Sequence, residues 1–201
     1  MALHLPDILQ ILPLPFCPEG SIVRDYGQNE FFLVQGDYPT HLGFVRHGIF
    51  REYFSGSNKK EYNLSFCAKG DFAGPYHDPH FIDRQFIDRQ FIDSDPKSVE
   101  PSAVSVQALT PGSLLLIPWD EFSRLILTDI AWLNAAREIA HQLLMKKFER
   151  ENQLLTLSAL ERYDLLEQRY PHLIQQIPAY HIASYLGITP ISLSRLRGRR
   201  F

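Results

Sequence analysis

The chain has 201 residues, 45% of them apolar, a formal net charge of −3 and two cysteines. That apolar share can build a packed core and excludes a chain disordered throughout, while the charge excludes a protein coated in basic surface. Cys17 and Cys67 cannot supply a disulfide framework and lack the clustering of an iron–sulfur or zinc site, so a reducing cytoplasm is the expected location.

The first residues, MALHLPDILQILPLPF, are apolar but have no basic n-region and no small-residue cleavage site, and Pro6, Pro13 and Pro15 interrupt them. They read as a lead-in helix and loop, not a signal peptide. No apolar run approaches the ~20 residues of a membrane helix, so no membrane partner is expected.

From about Ser21 to Trp119 the texture is that of short strands. Apolar and polar residues alternate in Leu42–Phe54, Tyr62–Cys67 and Ala103–Leu109, with glycines such as Gly36, Gly48, Gly56 and Gly70 between them. This spacing predicts an antiparallel roll or barrel. Residues 81–95 read FIDRQ-FIDRQ-FIDSD. A five-residue period gives neither a helix nor a strand a single buried face, so it reads as a surface loop grown by duplication.

The texture changes near Asp120. No Pro or Gly occurs from there to Ser158, and Leu133, Ala136, Ala140, Leu143, Leu144, Phe148, Leu154 and Leu155 recur at helical spacing. Asp129 can cap a helix from about Ile130 to Thr156, ~40 Å long at 1.5 Å per residue. Such a helix outreaches one small roll. Its stripe is expected to pack on the roll at one end and on a second copy of the chain along its middle, with Lys147 and Glu151 on or near the seam. Short helices are expected at Ala159–Tyr170 and His172–Ile177.

The last 24 residues, PAYHIASYLGITPISLSRLRGRRF, carry the strongest signal. Ile182, Ala183 and Leu186 form one apolar face, and small Ala183 lets a second helix cross closely. Gly187 sits where a turn needs positive φ. Thr189 is a good N-cap and Pro190 a good first helical residue. The following helix is apolar at Ile191, Leu193 and Leu196 and polar at Ser192, Ser194, Arg195 and Arg199. From Ala179 onward there are four arginines and no carboxylate. This +4 tip leaves the rest of the chain at −7, the difference between −3 and +4. Arginine can bind guanine O6 and N7 through two hydrogen bonds, and hydroxyls and N-terminal amides suit phosphate oxygens. The pattern predicts a helix-turn-helix that reads duplex DNA, with Ser192 and Arg195 sharing a face and Arg197, Arg199 and Arg200 neutralising phosphates. The DNA-contacting candidates are Thr189, Pro190, Ile191, Ser192, Ser194, Arg195, Arg197, Arg199 and Arg200.

IASYLGITPISLSRLR resembles the recognition segment of the Crp/Fnr family of bacterial transcription regulators, especially its short-winged branch. LVQGDYPTHLGFVRHGIFREYF resembles the first half of that family's cyclic-nucleotide-binding β-roll. KGDFAGPY resembles the start of its phosphate cassette, PSAVSVQALTPGSLLLIPWDEF its closing strands, and LSALERYDLLEQRYPHLIQQIP its hinge and first DNA-domain helices. The resemblance implies an α+β fold in three parts. A β-roll of double-stranded β-helix or jelly-roll type occupies 1–125, with the repeat loop at 81–95. A long dimerisation helix occupies 126–157, and a helix-turn-helix DNA-binding domain 158–201. It also implies a homodimer on double-stranded DNA, with RNA polymerase as a candidate partner, and an effector pocket in each roll, for which Gly74, Pro75, Tyr76, Pro101 and Ser102 are the candidates.

Three departures bear on chemistry. Cyclic-AMP-binding members carry a Gly-Glu pair where this chain has Gly74-Pro75, and an arginine before serine where it has Pro101-Ser102. Proline can bond neither ribose hydroxyl nor cyclic phosphate, so cyclic AMP is not expected to bind in the usual way, and no cofactor is assigned. Family members often carry a glutamate where Ile191 stands; isoleucine cannot accept from cytosine N4 but can touch a thymine methyl. With the sequence ending at Phe201, no β wing is expected.

Other signals are weaker. His77, Asp78 and His80 offer three ligands with no fourth, so no metal site is expected. His41 and His47 read as structural and Cys67 as a small core residue. No phosphate loop, nucleophile elbow or paired carboxylates point to an enzyme. Two other readings stay open: a small-molecule sensor whose helix-turn-helix binds protein instead of DNA, and a cupin-like enzyme, which would need a histidine–glutamate cluster inside the roll.

Overall fold

A computed structural model describes residues 18–74, 101–171 and 174–198. The lead-in segment, the HDPH histidines and the FIDRQ repeat lie outside the described residues. Those described form two four-stranded antiparallel sheets. One has the order β1 (Ile22–Tyr26), β8 (Gly112–Pro118), β3 (His41–His47), β6 (Phe72–Ala73); the other β2 (Phe31–Leu33), β7 (Ser105–Ala108), β4 (Phe50–Ser55), β5 (Glu61–Cys67). Five helices follow: α1 (Trp119–Thr128), α2 (Ile130–Thr156), α3 (Ala159–Arg169), α4 (Ala179–Leu186) and α5 (Pro190–Gly198).

The alternating run Leu42–Phe54 is two strands. Gly48 turns the chain between them with φ +85°, and a Cβ there would lie 2.5 Å from the Gly112 Cα, so both conformation and space require glycine. The alternation also hides a second fact. Leu42–Val45 and Phe50–Tyr53 are each buried at four consecutive positions. Both faces of these two strands are therefore covered. Between the sheets lie Tyr26, Val45, Phe50, Cys67, Val106 and Leu114. Outside the first sheet, Leu42, Phe44 and Ile117 meet Phe122, Trp132 and Ile139 of α1 and α2. Outside the second, Ile49, Phe66 and Leu109 meet Tyr163 and Leu166 of α3, Ile182 and Leu186 of α4 and Leu193 of α5.

Helix α2 occupies the expected span, and Asp129 caps it by accepting from the Ala131 N–H at 2.8 Å. Asp129 itself is extended (φ −133°, ψ 119°), which separates α1 from α2 without proline or glycine. The buried residues of α2 are Trp132, Ala135, Ala136, Ile139, Gln142 and Leu143, all in its first half. Farther along, Leu144, Phe148 and Leu155 are 56%, 61% and 79% exposed. α3 begins on a capping box in which Ser158 and Glu161 satisfy each other's backbone N–H groups. The helix expected at His172–Ile177 does not form over its described residues: Ile174–Ile177 are turns. Pro178 closes that stretch and Ile174 and Ile177 are drawn into the core, which a short turn achieves without a helical register.

Candidate nucleic-acid interface

α4 and α5 meet through a three-residue turn. Gly187 takes φ +70°, the left-handed conformation that a side chain resists, and its N–H donates to the Ala183 and Ser184 carbonyls. Thr189 caps α5, its hydroxyl accepting from the Ser192 N–H at 3.1 Å. Ile182, Ala183, Leu186 and Leu193 are buried between the two helices and α3. The opposite face of α5 is open: Ile191, Ser192, Ser194 and Arg195 are exposed, as are Thr189 and Pro190. Arg195 pairs with no carboxylate among the described residues. The Ser192 hydroxyl lies 2.9 Å from that of Thr189, so the two form a small hydroxyl cluster at the helix start.

Arg197 departs from the expected pattern. It is half-buried, its Nε donates to the Tyr163 hydroxyl at 3.2 Å, and its guanidinium lies 5.5 Å from that ring's centre. It fastens α5 to α3. Arg199 and Arg200 lie outside the described residues.

Two further arginines support the unit from behind. Arg150 of α2 stacks on the Tyr185 ring at 3.9 Å and donates to the Tyr185 carbonyl; Arg162 of α3 donates to the Leu186 carbonyl at 3.0 Å. Cations thus satisfy the open C-terminal carbonyls of α4, where the helix dipole favours them.

The opposite side of α4 is held to the sheet by a buried polar network that the sequence reading missed. Arg51 of β4, 4% exposed, donates through Nη1 to Glu61 (2.6 Å), to Asn63 Oδ1 (3.2 Å) and to His181 Nδ1 (3.0 Å), and through Nε and Nη2 to Gln107 (2.8 and 2.6 Å). Asn63 donates to the His181 carbonyl at 3.0 Å, and the Asn63 N–H donates to Ser184 Oγ at 3.0 Å. Burial, then the neighbouring Arg51 cation, pushes His181 down to about 4 from 6.5, so it stays neutral and accepts from the guanidinium. The missed signal was an arginine and a glutamate in mid-strand within a run that is otherwise buried.

Of the effector-pocket candidates, Gly74, Pro101 and Ser102 are described, and Pro75 and Tyr76 are not. Gly74 is buried and its N–H donates to Glu52 Oε1 at 3.0 Å. Ser102 is buried, its hydroxyl bonded to the Val104 carbonyl at 2.8 Å, while Pro101 is exposed. Burial, then the Glu52 and Asp71 carboxylates, holds the Cys67 thiol well above its ordinary range, so it behaves as a core residue. His41 bonds Thr40 at 2.9 Å at the start of β3, and His47 is exposed at its end. Among the described residues no cluster of His, Cys, Asp and Glu could hold a metal, and no helix is long and apolar enough to cross a membrane.

No family model and no curated protein sequence matches the chain. Solved structures do match. FixK2 from Bradyrhizobium japonicum aligns over 89% of this chain and 83% of its own, with a TM-score of 0.69 and 17% identity. A transcriptional regulator assigned to the Crp/Fnr family, from Eubacterium rectale, aligns over 89% and 77% with a TM-score of 0.64 and 16% identity. CLP, the c-di-GMP responsive global regulator of Xanthomonas campestris, aligns over 89% and 86% with a TM-score of 0.59 and 18% identity. The chain therefore shares the fold of these structures, a Crp/Fnr-like cyclic-nucleotide-binding β-roll followed by a long helix and a helical C-terminal unit.

Proposed function

We propose that the chain is a dimeric, sequence-specific DNA-binding transcription regulator, with an effector-sensing or vestigial roll at 1–125, a dimerisation helix at 126–157 and a DNA reader at 158–201. One observation carries the reading. The outward face of α5, with Ser192, Ser194 and Arg195, is exposed while Leu193 anchors its inward face in the core, the arrangement a major-groove reader needs. The start of α5 offers the Thr189 hydroxyl and the Ile191 backbone N–H to phosphate. Ile191, 67% exposed on the same face, offers apolar contact to a thymine methyl. Along α2, Leu144, Phe148 and Leu155 follow four- and seven-residue spacing on one exposed stripe, which supports pairing with a second copy. Fold similarity to known regulators adds support at the level of the fold.

Selection of random duplexes by the full chain tests this. A defined, two-fold-related consensus is expected, with specific binding at least about a thousandfold above non-specific. Recovery of no sequence would refute it and leave the alternative, a sensor whose C-terminal helices contact protein.

A further inference from the structure

The two faces of β4 hold groups that belong to different parts of the molecule. Phe50 and Glu52 point between the sheets, while Arg51 points outward to α4. Glu52 is fully buried; its carboxylate accepts from the Gly74 N–H at 3.0 Å and from the Ser65 hydroxyl. Arg51, its chain neighbour, is the centre of the network that grips His181. One strand therefore carries a buried anion bonded to the interior of the roll and, one residue away, a buried cation bonded to the C-terminal unit.

The pairing of β4 with β5 is irregular at this same place. Glu52 lies opposite Ser65, but Tyr53 lies opposite Asn63, so Leu64 is an extra residue. Residues two apart on a regular strand share a face. Here they do not. The bulge turns Ser65 inward to Glu52 and Asn63 outward to Arg51 and His181. The same two backbone segments thus place both inner and outer partners.

We propose that β4 and the β5 bulge form a relay, in which the bonding of Glu52 to Gly74 and Ser65 inside the roll sets the seating of α4 outside it. The input is hydrogen-bond donation to a buried carboxylate. A ligand or rearrangement that takes Glu52 from Gly74 moves the Arg51–Asn63 pair and loosens α4, and with it the α5 face that α4 carries. The relay stands whether or not α5 binds DNA, so its test needs no duplex.

Hydrogen–deuterium exchange of the full chain decides it. Glu52→Gln keeps the shape and removes the charge; Ser65→Ala removes one partner and serves where Glu52→Gln does not fold. Both residues face away from α4. Each is expected to raise exchange of the α4 amides Ile182–Leu186 about tenfold while α1 and the first half of α2 stay protected. His181→Gln is expected to do the same from the other end. The double variant Ser65→Ala/His181→Gln should exchange no faster in α4 than the faster single variant, since both sever one path. Exchange raised only within the roll, raised uniformly across the molecule, or compounded in the double variant would overturn the relay.

Discussion

Acidification perturbs the joint between roll and C-terminal unit at one identifiable atom, His181 Nδ1. Burial and the Arg51 cation hold the imidazole at about 4, against 6.5 for a free histidine. It is neutral when α4 is seated. Once α4 leaves the sheet or the chain unfolds, His181 regains its ordinary range and takes up a proton below about pH 6.5. Between about pH 4 and 6.5 the released state therefore binds more protons, and the seated state loses stability as the pH falls through that window. Above it this group contributes no pH dependence. Glu61, the carboxylate at the joint, engages Arg51 at 2.6 Å and so does not offset a second cation on the ring. A fall from 6.5 to about 4 corresponds to at most about 3.5 kcal/mol at ~1.4 kcal/mol per pH unit, of which about 2 kcal/mol is gone by pH 5. Urea unfolding of the wild type and of His181→Gln at pH 7 and pH 5 measures it. The wild type should lose about 2 kcal/mol more than the variant across that interval. Equal losses would show that His181 titrates alike in both states, and the argument for a neutral, buried acceptor would be wrong.

The remaining predictions concern DNA, assembly and effector. Arg195→Ala should weaken specific binding by about 1–3 kcal/mol and relax one base position, read by quantitative gel shift on the selected duplex and its single-base variants. Arg197→Ala should instead lower folding stability by about 1 kcal/mol in denaturant melts, because it severs the Tyr163 bond, whereas Arg199→Ala should weaken binding evenly across sequences and flatten its salt slope by about one. Phe148→Glu, placed on the exposed stripe of α2, should convert a dimer to a monomer in sedimentation without changing the helical circular dichroism; an unchanged mass would locate assembly elsewhere. Titration calorimetry with cyclic AMP should show no affinity from nanomolar to low-micromolar concentrations, since the family resemblance aligns Pro75 and Pro101 with the positions that bond ribose and phosphate in cyclic-AMP-binding members.

Much of the chain was legible because its signals are local. Asp129 and the run without proline or glycine bounded α2 at Ile130–Thr156, and Gly187, Thr189 and Pro190 bounded the turn between α4 and α5. Each of these depends on residues within one helical turn, so the sequence by itself contains the whole interaction. His172–Ile177 misled for the same reason: its apolar spacing suits a helix, but anchoring Ile174 and Ile177 in the core decides the backbone there. The tertiary structure alone decided which faces were covered. Alternation along β3 and β4 suggests one wet face, yet both are buried, because α1 and α2 pack on one sheet and α3 to α5 on the other. Arg197 reads in the sequence as a phosphate neutraliser, and only packing gives it Tyr163 as a partner. Arg51 and His181 are 130 positions apart, and nothing near either residue announces the other. A charge or an imidazole is solvated or buried according to what another segment lays over it, and that is fixed only when the whole chain has packed.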